Sequence, residues 1–270
     1  MLVTRILSTV VLVPLVLLFL FFSVETTALL AAIGAVIGAF EFYDMAVRSP
    51  YKFNPVRLLG YGLAAFLCLA GYLNSLPLML LATALYALIS GAIILVRPVN
   101  SNEPALRNLT NWGISLLGSL YPALPLGLAA TLRADSNESL WWIVLALVGT
   151  WGTDTGAYFV GRLLGKHKLA PKISPNKTIE GAIGGAVAGM VGVTLVGVLA
   201  LHIPLYYTIP LGLTLAVGGI CGDLFESWFK RRFDTKDSGK LIPGHGGLLD
   251  RIDALLIVLT LTYLFKLVYS

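Results

Sequence analysis

Nine apolar stretches, each of about the length a membrane helix needs, follow one another along the chain at roughly 6–22, 28–47, 57–73, 77–96, 110–132, 140–161, 180–202, 207–229 and 251–268. A chain of 270 residues with 57% hydrophobic and 12% charged residues cannot bury so much apolar surface in a soluble core. A soluble domain carries about 25% charged residues. Lipid is the alternative solvent, and in lipid every backbone polar group must be paired internally, which favours helices. The sequence therefore predicts an all-α integral membrane protein with about nine transmembrane helices. The first stretch could be mistaken for a signal peptide. It is longer than a usual apolar leader core and lacks a clear small-x-small cleavage site after it, so it is read as the first span.

Charge fixes the expected orientation. Counting the N-terminus as segment zero, all of the 19 Lys and Arg residues except Arg133 and Lys266 fall in even-numbered segments. The positive-inside rule then places the N-terminus and the even loops in the cytoplasm and the C-terminus outside. The expected location is the inner (cytoplasmic) membrane of the cell. The net charge of +5 is explained by topology and attraction to anionic lipid heads. No nucleic-acid-binding module is recognisable, so no nucleic-acid partner is expected. Cys68 and Cys221 both lie in apolar stretches and read as packing residues rather than as a disulfide, ligand or nucleophile.

The two halves differ in character. Residues 1–140 read as transmembrane scaffold, with short loops and few polar groups inside the spans. Residues 141–270 read as the catalytic region, with acidic residues inside helices and two polar basic loops at 162–179 and 230–250.

Asp154 sits inside the sixth span, and a carboxylate there costs about 2.5–3.5 kcal/mol on insertion scales, so it needs a partner or a function. Eight residues separate it from Arg162, which places it roughly 12 Å below the cytoplasmic end. A structural polar contact between helices is the plainer alternative. Asp223 and Glu226 share one face near the end of the eighth span, and Asp250 and Asp253 repeat that spacing at the start of the ninth. Hard divalent cations such as Mg²⁺ take oxygen ligands, often one or two carboxylates with substrate phosphates. Helix capping and dipole compensation would also account for Asp250 or Asp253. Asp223 lies seven residues before Lys230, roughly 10 Å below the cytoplasmic end. That depth suits an enzyme joining a cytoplasmic substrate to a lipid head group better than a transporter, whose site tends toward the midplane.

The second basic loop runs through Lys236-Asp237-Ser238-Gly239-Lys240 to Pro243-Gly244-His245-Gly246-Gly247. Glycines let backbone N–H groups approach an anion, lysines add charge, and His245 can donate a hydrogen bond or move a proton. The pattern is not a Walker A loop. The first basic loop carries Lys166, Lys168, Lys172 and Lys177, some of them explained by topology alone. Gly181, Gly185 and Gly189 then recur every four residues, a pattern read as close helix packing rather than catalysis.

Ser227 to Asp253 reads S-W-F-K-R-R-F-D-T-K-D-S-G-K-L-I-P-G-H-G-G-L-L-D-R-I-D. This resembles the signature of the phosphatidate cytidylyltransferases, or CDP-diacylglycerol synthases, and meets every fixed position of it. The stretches from Asp154 to Tyr158 and from Ser174 to Gly181 are similar to the same family, so the likeness is strong over about 150–253. The resemblance implies a nucleotidyltransferase of phospholipid biosynthesis: CTP and phosphatidic acid give CDP-diacylglycerol and pyrophosphate, with Mg²⁺ as cofactor. A second metal, a monovalent cation and a homo-oligomer are compatible with it. Carried onto matching positions, it implies Asp223 and Asp250 as metal ligands, with Asp253 and Glu226 as further ones. Lys172, Lys177, Arg231, Lys236 and Arg251 would hold phosphates, with Arg162 also at the substrate. His245, Gly246 and Gly247 would shape the phosphate loop, and Asp154 would line the cavity. Lys177 and His245 join Asp223 and Asp250 as expected catalytic groups. A phosphate monoester is already ionised at pH 7, so no general base is assigned.

Two rivals follow from the same residues. A CTP-dependent lipid kinase of the dolichol or phytol type would release CDP instead of pyrophosphate. An ion-coupled transporter built on Asp154 and Asp223 would move substrate across sealed vesicles without turning over nucleotide.

Overall fold

A computed structural model of the chain describes residues 2–98, 106–135, 139–244 and 246–269. Each of the nine apolar stretches coincides with a helix: α1 (Leu2–Phe22), α2 (Val24–Arg48), α3 (Arg57–Tyr72), α4 (Leu76–Leu95), α5 (Arg107–Ala134), α6 (Ser139–Leu164), α7 (Ile179–Leu199), α8 (Leu205–Arg232) and α9 (Leu249–Tyr269). Among the described residues, seven of these helices are long and apolar enough to cross a membrane. α3 has 16 residues, which at a rise of about 1.5 Å per residue spans roughly 24 Å, short of a typical hydrocarbon core. The exterior is rich in large apolar side chains, among them Leu58, Leu88, Leu95 and Val268, as a lipid-facing surface requires. The fold class is an all-α integral membrane protein.

One departure from pure helix lies in the first basic loop. Lys168–Ala170 (β1) and Ser174–Thr178 (β2) form a two-stranded antiparallel hairpin that pairs Lys168 with Thr178 and Ala170 with Ser174. Glu180, in the first turn of α7, holds the approach to this hairpin. Its carboxylate accepts from the backbone N–H of Lys166 (3.0 Å) and of His167 (3.2 Å) and meets His167 Nδ1 at 2.6 Å. The side chain of Thr178 caps α7 by accepting from Gly181 N.

The chain forms two compact units. One comprises residues 1–134 and 232–251, the other residues 135–231 and 252–270. In the first unit α2, α3 and α5 pack around Tyr43, which is fully buried. Its hydroxyl donates to Ser115 O at 2.6 Å and lies 2.6 Å from Ser119 Oγ and 3.1 Å from Tyr86 OH. A buried phenol needs such partners, because lipid offers none. The same unit includes the segment joining α8 to α9, where Phe233 packs edge-on against Phe42 of α2.

In the second unit α6 and α7 lie in close apposition along the glycine stripe. A Cβ at Gly181 would stand 2.8 Å from Ala157 O, one at Gly185 would stand 2.6 Å from Thr153 O, and one at Gly189 would strike Thr153 Oγ1. The four-residue glycine repeat therefore packs backbone on backbone, as its spacing suggests. Lys266 of α9 pairs with Asp135 at 2.5 Å, so one of the two basic residues that break the charge asymmetry is neutralised by a neighbour.

Candidate functional site

Polar chemistry gathers in two places, one in each unit. In the second unit the hairpin delivers Lys177 to α8: Lys177 Nζ lies 2.6 Å from Asp223 Oδ2, and Ser227 Oγ donates to Asp223 Oδ1 at 3.3 Å. Both members of the ion pair remain partly exposed, with side-chain exposures of 25% and 32%, so the pair is accessible to a solute. Asp154 of α6 lies within electrostatic reach of Asp223, Asp253 and Lys177. One turn along α8, Glu226 is 1% exposed and its Oε2 lies 3.2 Å from Lys230 Nζ. Asp253 of α9 is 9% exposed and within hydrogen-bond reach of the Glu226 carboxyl. Four carboxyl groups from three helices thus share one region with two ammonium groups.

The remaining basic groups of this unit flank the cluster along the chain. Arg162 Nη1 donates to Tyr158 OH at 2.7 Å, the i+4 contact that their spacing suggests. Arg231 Nε donates to Ile173 O at the hairpin turn at 3.3 Å, and Lys172 stands exposed beside that turn.

In the first unit the second basic loop is organised by two carboxylates. Asp250 Oδ2 accepts from Ser238 N (2.9 Å), Ser238 Oγ (3.0 Å) and Gly247 N (2.8 Å). The contact to Gly247 lies across the opening turn of α9, so the capping role open to an acid at this position is in place. Gly246 has φ +89°, and a Cβ there would stand 2.7 Å from Asp250 Oδ2. Only glycine fits this combination of left-handed backbone and close approach. Ile242 N donates to Gly246 O at 2.9 Å and closes the loop's return. His245 lies outside the described residues.

Glu41 of α2, 3% exposed, joins this loop from outside the signature segment. Its Oε1 accepts from Leu248 N at 2.9 Å, and its Oε2 accepts from Leu249 N at 2.9 Å and lies 3.0 Å from Ser238 Oγ. It is one of the few polar groups inside the spans of residues 1–140. The available signal was an acid inside the second span, about 10 Å from Arg48 at the helical rise. Beside it lies a cavity of about 990 Å³ lined by Phe40, Asp44, Arg48, Tyr61, Lys236 and Lys240. Arg48 pairs with Asp44 at 2.9 Å, while Lys236 is exposed at the end of the loop. Arg251 is likewise exposed, one residue after Asp250.

Among the described residues no three acidic, His or Cys side chains converge tightly enough to make a ready cage for a metal. The donors are nevertheless all hard oxygens, and within the cluster of the second unit the four carboxyls outnumber the two ammonium groups. Glu226 and Asp253 place two carboxyls side by side. This fits a divalent cation that takes few protein ligands and completes its shell with substrate oxygens. It fits a soft-metal or closed structural site poorly.

Comparison with known proteins bears on the same residues. The model of the cytidylyltransferase family matches residues 3–269. A protein of Brucella suis named phosphatidate cytidylyltransferase is 40% identical over 236 residues, 87% of this chain and 83% of its own length. A protein of the same name from Bacillus subtilis is 44% identical over 159 residues, 58% of this chain and 59% of its own length. One from Staphylococcus saprophyticus is 49% identical over 132 residues, about half of each chain. The family expected from the signature between Ser227 and Asp253 is thereby shown. So is a nucleotidyltransferase activity, and this chain belongs to the cytidylyltransferase family.

Proposed function

We propose that the chain transfers the cytidylyl group of CTP to phosphatidic acid, giving CDP-diacylglycerol and pyrophosphate. One observation carries the reading: α6, the hairpin, α8 and α9 put Asp154, Lys177, Asp223, Glu226 and Asp253 into one charged region of a lipid-embedded unit. Both substrates are polyanions, so the protein must offset their repulsion before an oxygen of the lipid phosphate can attack the α-phosphorus of CTP. Positioning and charge neutralisation are the main requirements of such a transfer.

Asp223, with Glu226 and Asp253, would hold Mg²⁺. When bound, that ion supplies charge neutralisation on the nucleotide phosphates. Lys177 has two states open to it. In the structure it neutralises Asp223, and with substrate present it turns to a phosphate oxygen. Lys172 and Arg231 lie at the hairpin turn, and with Arg162 at the end of α6 they suit the outer phosphates. Asp154 keeps Lys177 and Asp223 in a field of fixed negative charge, which favours a bound cation. Within the other unit, Asp250 holds Ser238 and Gly247 in place, and Lys236 and Arg251 meet anionic groups. Direct metal ligation by Asp250 is a separate proposal with its own variant below. His245 is proposed as a hydrogen-bond donor to a phosphate. The positive-inside asymmetry supports a site facing the cytoplasm of a multi-pass inner-membrane enzyme.

The test is a purified assay with labelled CTP and phosphatidic acid, with and without Mg²⁺, identifying both products. CDP-diacylglycerol with pyrophosphate, abolished by chelation, is expected. CDP as product would favour a lipid kinase, and vesicle flux without nucleotide turnover would favour a transporter.

A further inference from the structure

Glu41 is the buried acid of the first unit that the proposed chemistry does not use. It lies in α2, far in sequence from the signature, and its three hydrogen-bonding contacts all go to the segment 238–249. Two of them are the backbone N–H groups of Leu248 and Leu249, which open α9 and have no partner within that helix. The third is the hydroxyl of Ser238. That hydroxyl lies 3.0 Å from both Glu41 Oε2 and Asp250 Oδ2 but has a single proton, so it donates to one carboxylate at a time. Glu41 and Asp250 therefore share the same serine hydroxyl.

The fit leaves no slack. A Cβ at Gly239 would stand 2.6 Å from Glu41 Oε1, and one at Gly247 would strike Ser238 Oγ and stand 2.5 Å from Glu41 Oε2. The glycines of the loop are thus needed as much for the approach of the Glu41 carboxylate as for an incoming anion. Glu41 also forms part of the wall of the 990 Å³ cavity that Lys236 and Lys240 line.

We propose that Glu41 is a positioning residue for the transfer reaction, holding the loop 238–249 and the first turn of α9 in the arrangement catalysis requires without touching substrate. This inference rests on the proposed cytidylyl transfer. A carboxylate is suited to the task because it accepts from several N–H donors at once, and charge-assisted bonds of this kind are stronger than neutral ones. Glutamine at the same place offers one oxygen, and its amide N–H groups oppose the N–H donors of Leu248 or Leu249.

The experiment compares wild type, Glu41→Gln, Ser238→Ala and the double variant as full-length protein in detergent, with turnover expressed per folded molecule. Misplacement of a catalytic loop by a fraction of an ångström to an ångström can cost up to about a hundredfold, so Glu41→Gln is expected to lower kcat by at least about tenfold. Because Glu41 acts partly through Ser238, the double variant is expected to be about as impaired as Glu41→Gln alone, well short of the product of the single losses. A purely structural role would change the yield of folded protein and leave kcat per folded molecule untouched. Turnover of Glu41→Gln within about twofold of wild type, or losses that multiply in the double variant, would overturn the proposal. Should Glu41→Gln fail to fold, Ser238→Ala carries the test: a loss of about threefold or more is expected, and wild-type turnover would overturn it. Wild-type protein in the same preparation separates the two levels. A wild type that makes no CDP-diacylglycerol sinks the reaction assignment, whereas an active wild type beside an equally active Glu41→Gln sinks only the role of Glu41.

Discussion

The two acidic clusters are built from the same side chains and held in opposite ways. In the first unit the carboxylates of Glu41 and Asp250 accept from backbone N–H groups and one hydroxyl, neutral donors fixed by the fold. In the second unit Asp223 meets a lysine, Glu226 meets another, and Asp253 meets Glu226. A carboxylate satisfied by main-chain amides cannot release them without unfolding a turn. One neutralised by a flexible ammonium group can exchange it for a cation. The first arrangement shapes a loop, and the second leaves charge available for chemistry.

The sharpest break of this contrast is Asp223→Asn. Loss of the carboxylate removes the expected metal ligand and leaves Lys177 without its partner, so CDP-diacylglycerol formation is expected to fall by about a thousandfold or more, within the range a lost electrostatic group can cost. Turnover of labelled CTP at saturating Mg²⁺ measures it, and near-normal activity would reject the assignment of Asp223.

Asp250→Asn probes the other cluster and should rank second. Asparagine keeps one oxygen for Ser238 N and Gly247 N but loses the charge at the start of α9, and a loss of about a hundredfold is expected. Raising Mg²⁺ distinguishes its two possible roles. Recovery at high Mg²⁺ marks a direct ligand, whereas a loss indifferent to Mg²⁺ marks a loop anchor and widens the contrast drawn above.

Lys177→Met comes third. It removes the ammonium group from Asp223 while keeping most of the side chain's length, and a loss of about tenfold with a raised KM for CTP is expected if the lysine turns to a phosphate. A lower kcat at unchanged KM would instead confine Lys177 to holding Asp223.

The ease of reading the two clusters in the sequence was unequal for a physical reason. Asp154, Asp223 and Lys177 were all visible, because a charged group within or beside an apolar span has few places to go, and because the positive loops mark the depth. The helices themselves were legible to within about four residues at each end, since lipid leaves a spanning chain few alternatives to helix. Glu41 was not. Its partners are main-chain amides 207 and 208 positions away, and main-chain donors leave no side-chain pattern to find. The hairpin at 168–178 was also missed. Two short strands rich in lysine carry no hydrophobic alternation, and Glu180 fixes their approach from the first turn of α7.

The smallest expected effect lies at Lys52, in the first unit and outside the lining of its cavity. Its carbonyl accepts from Arg107 Nη2 at 2.6 Å, its side chain is exposed, and its backbone is left-handed with φ +48°. Lys52→Ala is expected to leave turnover within about twofold of wild type, as for a surface substitution away from any site. Lys52→Gly relieves a left-handed conformation that costs an L-residue roughly 1–2 kcal/mol, and it gives back roughly 0.5–1 kcal/mol through the freer unfolded chain. The balance is a stabilisation of between zero and about 1.5 kcal/mol, read as a small rise in Tm in detergent at constant turnover. A large loss of activity in either variant would extend the functional region of the first unit beyond the loop that Glu41 holds, and would blur the division between a shaping cluster and a reacting one.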